Sequence, residues 1–236
     1  MSTLEKTGFK KSFLDGLFYK NPFFVLFLGL TLVRISTTRL ETALIIGLIA
    51  GIELRVTQLV LSLLRKHLDK VGAYLTALIL AAGLSTIFGM VLGLRFSSFL
   101  KYVNVNGTNG KFLTIAVPFL CTSSFILDQA DESLFHPLSD TRGYSLGSFL
   151  GFLAALILIS LFREVLSTGR ITFYDAKGQE YGPILWSKDV FSLPILDKPF
   201  GGFLFAGVFR GIYRSILDLV LSHKDKKEKS KLKEAE

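Results

Sequence analysis

The chain has 236 residues, 50% of them hydrophobic, 13% aromatic and 19% charged, and its mean hydropathy is +0.49. Soluble domains carry about 25% charged residues, and several apolar runs here approach or exceed the roughly 18 to 20 residues that cross a ~30 Å hydrocarbon layer. An ordinary soluble enzyme, a disordered chain and a disulfide-stapled secreted domain are excluded; a multi-pass membrane protein is implied. The surplus of 27 Lys and Arg over 19 Asp and Glu is a topology signal, because membrane proteins collect basic residues on cytoplasmic flanks, and not the mark of a nucleic-acid interface. The single cysteine, Cys121, forbids an intrachain disulfide.

In chain order, residues 1–20 carry Lys6, Lys10, Lys11, Asp15 and Lys20. They lack the apolar core of a cleavable signal and are expected to be a cytoplasmic N-terminal segment. A six-helix membrane domain over 21–221 follows. Its first span is short: Phe23 to Val33, begun by Asn21-Pro22 and interrupted by Arg34. The second, Ala43 to Leu64, contains Glu53 and Arg55 and ends in the basic patch Arg65, Lys66, His67 and Lys70. The third runs from Val71 to Leu94. After the turn-forming Asn106-Gly107-Thr108-Asn109-Gly110, the fourth, Phe112 to Leu127, is short and broken by Pro118. An acidic connector with Asp128, Asp131, Glu132, His136 and Asp140 leads to a cleanly apolar fifth span, Tyr144 to Phe162. Residues 167–198 form an extramembrane connector, in which Tyr174 to Gly178 is predicted to turn between short strands. The sixth span runs from Pro199 to Leu221, and residues 222–236 form a charged tail, helical or disordered. Six spans place both termini on one side, and the basic flanks make that side cytoplasmic.

The two halves echo each other. Gly47 and Gly51 of the second span, which ends Ser62-Leu63-Leu64-Arg65, match Gly147 and Gly151 of the fifth, which ends Ser160-Leu161-Phe162-Arg163. Each follows a short, interrupted apolar segment. The expected fold is therefore an all-α integral membrane protein, with six transmembrane helices in two inverted three-helix repeats (about 21–94 and 112–221), each with a broken first helix. Paired broken segments point to a site near the bilayer midplane. Glu53 and Arg55 lie mid-span, where each must face protein or water. Two residues apart on a helix, they point about 200° from each other and cannot pair well; Arg34 is a candidate partner for Glu53. The three form either an ion path or structural ion pairs. In the sixth span, Arg210, Arg214 and Asp218 share a helical face suited to an interface. His67, His136 and His223 lack metal-ligand spacing, and no catalytic residue is expected.

The order of segments resembles the small six-helix membrane subunits of the Rnf and Na+-pumping NADH:quinone oxidoreductase (Nqr) complexes, D-type in Nqr and E-type in Rnf. The segments that carry it are Asn21 to Leu30, Ala43 to Lys66, Ile115 to Cys121 and Leu161 to Gly169, the last with an Arg-Glu-hydrophobic-hydrophobic-x-x-Gly pattern. The resemblance implies a bacterial inner-membrane subunit, not catalytic alone, of a complex that couples electron transfer to Na+ or H+ translocation. It also implies other membrane subunits as partners, including a homologous subunit of opposite orientation. A [2Fe–2S] cluster shared with that partner would take two cysteines from each chain, since such clusters want four thiolates. Cys121 matches one ligand position; Thr31 stands at the other and cannot be a thiolate. The alternatives are an inverted-repeat transporter without a redox centre and a structural scaffold subunit.

Overall fold

The computed structural model describes residues 8–21, 23–26, 30, 33, 36–95, 124–135, 138–174, 180–186 and 193–234. Within them lie α1 (Phe9–Leu14, continued by a π-helical turn Asp15–Tyr19), α2 (Leu40–Leu64), α3 (Lys70–Arg95), α4 (Ser124–Phe135), α5 (Leu138–Thr168) and α6 (Pro199–Glu234). A two-stranded antiparallel ribbon, β1 (Phe173–Tyr174) with β2 (Glu180–Tyr181), and a 3-10 turn at Pro194–Asp197 fill the segment between α5 and α6. The fold is thus helical, and the ribbon brackets the predicted turn. Leu40–Leu64, Lys70–Val91 and Asp140–Thr168 are long and apolar enough to cross a membrane. The helix α6 falls outside that group; Arg210, Arg214 and Asp218 interrupt its apolar half.

Local chemistry sets several boundaries. Asn21 closes the π turn: its amide nitrogen donates to Leu17 O at 2.9 Å, and its Oδ1 accepts from the N–H groups of Phe23 and Phe24 at 2.9 and 3.0 Å. Asp69 caps α3 by accepting from Gly72 N at 2.9 Å, the side-chain solution to an unpaired helix start. Gly169 ends α5 with φ +75°, a left-handed residue that lets its N–H reach Val165 O at 2.8 Å and that glycine adopts without steric cost. Pro194 opens the 3-10 turn at its first position, where a missing N–H costs nothing.

The core is built on α5. Along one face it packs on α2, and the two run antiparallel: Gly47 lies against Leu153 and Leu156, Gly51 against the Phe149 ring, and Gln58 donates to the Thr141 carbonyl. On a second face Gly143, Gly147 and Gly151 lie in turn against Phe9, Phe13 and Leu17, so α1 and its π turn run parallel to α5. Gly16 returns the approach by meeting the Tyr144 carbonyl and Ser148. Small residues at four-residue spacing allow such backbone-to-backbone contact between membrane helices. Phe23 and Phe152, both fully buried, meet edge to face with ring centres 6.4 Å apart.

The structure departs from the expected acidic connector. Asp128, Asp131 and Glu132 lie on α4, and Asp140 lies in the first turn of α5, 1% exposed. Two of the helical acids bond to tyrosines, and Asp131, its side chain 42% exposed, also pairs with Lys70 Nζ at 3.5 Å. Tyr144 donates to Asp128 Oδ2 at 3.0 Å, and Tyr74 on α3 donates to Asp131 Oδ1 at 2.5 Å. Tyrosine hydroxyls seek such partners when their rings are buried, so the acidic residues clamp α4 against α3 and α5. The charged tail is helical to Glu234, continuous with α6.

Candidate functional site

Two clusters of buried charged and polar side chains stand out among the described residues of these helices. The first is at mid-span. Glu53 is 1% exposed on α2, and its Oε1 accepts from the Ser85 hydroxyl of α3 at 2.7 Å. Its Oε2 has no hydrogen-bond partner among the described residues, and neither does the hydroxyl of Thr57, one turn further along α2 and fully buried. Arg55 faces the other way, donating from Nη1 to the Arg142 carbonyl of α5 at 3.2 Å. The expected divergence of these two residues is what the structure has: each faces protein, on opposite sides of α2. Arg34, Thr31 and Cys121 lie outside the described residues, and with them the expected Glu53–Arg34 pair and the cysteine position.

Sequence reasoning missed Ser85 and Thr57. Hydroxyls are common inside membrane helices, and only the α2–α3 pairing singles these two out. Ser85 ends a row of buried small residues on α3 (Ala73, Ala77 and Ala81), a four-residue spacing that brings the α3 backbone close to its neighbours.

The second cluster lies near the end of α5. Arg163 is fully buried. It donates from Nε to Leu196 O at 2.6 Å, from Nη2 to Lys198 O at 2.8 Å and from Nη1 to the Thr37 hydroxyl at 2.9 Å. Its neighbour Glu164 accepts from Leu40 N at 2.8 Å through Oε2 and from Thr172 N at 2.7 Å through Oε1. The first N–H of α2, which has no side-chain cap of its own, is therefore capped by a carboxylate from another helix. That places negative charge at the positive end of the helix dipole. Together the two side chains fasten the start of α2, the end of α5, the ribbon and the start of α6.

These residues are the Arg-Glu of the pattern that Gly169 closes. In the geometry the arginine bridges, the glutamate caps and the glycine stops the helix. A family model described as "Rnf-Nqr subunit, membrane protein" matches residues 9–209. The chain belongs to the Rnf-Nqr subunit family. The E-type subunit of the Na+-translocating ferredoxin:NAD+ oxidoreductase complex of Acetobacterium woodii is 27% identical over 206 residues, covering 87% of this chain and 95% of that one. The D-type subunit of the Na+-translocating NADH-quinone reductase is 23% identical over 163 residues in both Yersinia enterocolitica and Yersinia pestis, covering 69% of this chain and 73% of each relative. This Rnf-Nqr subunit is accordingly a membrane protein, and its buried clusters lie within the matched region.

Proposed function

We propose that this Rnf-Nqr subunit is a membrane-embedded part of a bacterial inner-membrane complex that couples electron transfer to Na+ or H+ translocation. The observation that carries the reading is a family match spanning both polar clusters, with relatives named as subunits of two Na+-translocating oxidoreductases. The chain contributes a scaffold and an ion path, and partner subunits carry the substrate-oxidising chemistry. The candidates for the ion path are Glu53, Arg55 and Arg34, and of these Glu53 and Arg55 face opposite sides of α2. A carboxylate in the middle of a membrane helix costs at least about 2.5 kcal/mol unless protein or an ion compensates it, which makes Glu53 a functional-site candidate.

The proposed topology is six spans in two inverted repeats, with both termini cytoplasmic and a homologous subunit of opposite orientation alongside. Its support is the antiparallel packing of α2 on α5, in which Gly47 and Gly51 stand near Leu153 and Phe149. A two-fold relation between the halves places the middle of one repeat's long helix beside the middle of the other. As for a [2Fe–2S] cluster, Cys121 can furnish one thiolate and Thr31 none. The donor set is one short of a two-cysteine share, and electron passage is assigned to the partner chains.

Purifying the full chain from membranes in mild detergent tests the reading. Several different membrane subunits are expected to co-purify, giving an assembly that passes electrons from a reduced donor to an acceptor. Iron content and EPR, compared with the Cys121→Ser variant, then report what Cys121 holds. A chain that elutes alone and moves an ion or solute by itself in vesicles would contradict the proposal.

A further inference from the structure

We infer that Glu53, Ser85 and Thr57 hold one Na+ ion between α2 and α3. This inference rests on the ion-coupling reading and names the ion and the oxygens that would hold it. Depth is the first argument. Glu53 is close to the middle of the 25-residue α2, and Ser85 close to the middle of the 26-residue α3, each about 20 Å from its helix start at 1.5 Å per residue. Coupling sites in inverted-repeat membrane proteins lie at that depth.

The second argument is the state of the oxygens. Ser85 donates its proton to Glu53 Oε1 at 2.7 Å, and the hydroxyl keeps two lone pairs that can ligate a cation. Glu53 Oε2 and Thr57 Oγ1 are buried with no hydrogen-bond partner among the described residues. Spaced four residues apart, Glu53 and Thr57 share one face of α2. A cation is served by several such oxygens at once, and neither Oε2 nor Oγ1 is taken up by another described residue. One carboxylate oxygen with two hydroxyls is a hard-oxygen set, suited to a hard cation and not to a soft metal. A single carboxylate neutralises a single positive charge. Arg55 does not supply that charge, because its guanidinium turns to the Arg142 carbonyl on the far side of α2.

The assembled complex provides the test, by two readouts: the Na+-induced infrared difference spectrum at fixed pH, and the Na+ concentration that half-stimulates turnover. Wild-type complex is expected to show a carboxylate band on Na+ addition that disappears in Glu53→Gln. Ser85→Ala and Thr57→Val are expected to keep the band and raise the half-stimulating Na+ concentration about fivefold, the loss of one ligand oxygen apiece. An assembled Glu53→Gln complex with the wild-type band, or a band that answers to pH and not to Na+, would overturn the site. Should Glu53→Gln fail to assemble, the other two variants decide, and an unchanged Na+ requirement in both would overturn it equally. Failure of the underlying reading looks different: no partner subunits co-purify, and no electron transfer is available to stimulate.

Discussion

Arg163→Ala is expected to destabilise the chain by about 3 to 5 kcal/mol and to deplete the folded protein from the membrane. The size follows from what the guanidinium does. It meets two backbone carbonyls and a threonine hydroxyl in a fully buried setting. Hydrogen bonds that involve a charged group contribute about 1.5 to 3 kcal/mol each. Truncation leaves the Leu196 and Lys198 carbonyls without this donor and opens a cavity where a long side chain was. Arg163→Lys is expected to recover only part of the loss, since one ammonium cannot reproduce a planar fork aimed at three acceptors. Glu164→Gln is milder, at about 1 to 2 kcal/mol, because the amide oxygen still accepts from one of the two backbone N–H groups. Thermal unfolding in detergent, followed by loss of monodisperse protein, measures the order Ala worse than Lys worse than Gln. An Arg163→Ala chain as stable as wild type would remove the clasp from the account.

The second large effect concerns the approach of α1 to α5. Gly147→Leu is expected to push α1 away from its seat, because a Cβ there would strike the Phe13 carbonyl and crowd Leu17 N. Backbone on a neighbouring helix cannot step aside as a flexible side chain does, and overpacking of this kind costs about 1 to 3 kcal/mol. Lys10 and Lys11 are exposed on α1, so limited trypsin digestion reads the displacement: the variant is cut there at least several-fold faster than wild type. Gly83→Leu serves as the comparison, since nothing lies within 4 Å of its added Cβ, and its digestion pattern is expected to match wild type. Equal protection in Gly147→Leu would mean that α1 is not held by this face.

The parts of the molecule that were legible in the sequence are those where one physical signal dominates. Length and apolarity mark α2 and α3 within a few residues and the apolar middle of α5, which runs six residues further at each end than Tyr144 to Phe162, and the turn residues between Tyr174 and Gly178 mark the ribbon. The glycine pairs were visible as spacing, but their partners were not. Gly47 and Gly51 meet α5, whereas Gly147 and Gly151 meet α1 and its π turn. Spacing gives the face of a helix that can be approached closely and is silent on which helix approaches. The same limit hid the N-terminal packing. Residues 9–19 have too little apolar length to suggest a seat against a membrane helix, and Gly16 supplies it by geometry. The acidic stretch misled for a related reason: Asp128, Asp131 and Glu132 read as part of a connector, and they lie on a helix whose tyrosine partners, on α3 and α5, are distant in the chain.

The candidate site was half legible. A carboxylate inside an apolar run announces itself by its cost, so Glu53 needed no structure. Ser85 and Thr57 needed the pairing of α2 with α3, a long-range fact. Arg163 and Glu164 stood in the pattern that carries the family resemblance, yet an arginine at the end of a span has an ordinary reading as an interfacial anchor. Full burial and three acceptors in different segments are what distinguish a bridge from an anchor.

The central claim, that this subunit takes part in redox-driven ion movement, is tested most directly in vesicles. Complex purified with the chain, and complex purified from cells in which the chain is deleted or replaced by Glu53→Gln, are reconstituted and supplied with a reduced donor. Ion uptake is followed alongside electron transfer. The account predicts uptake in step with electron transfer for wild type, and electron transfer with little or no uptake for Glu53→Gln. Uptake at the wild-type ratio of ions to electrons in the deleted or substituted complex would contradict it.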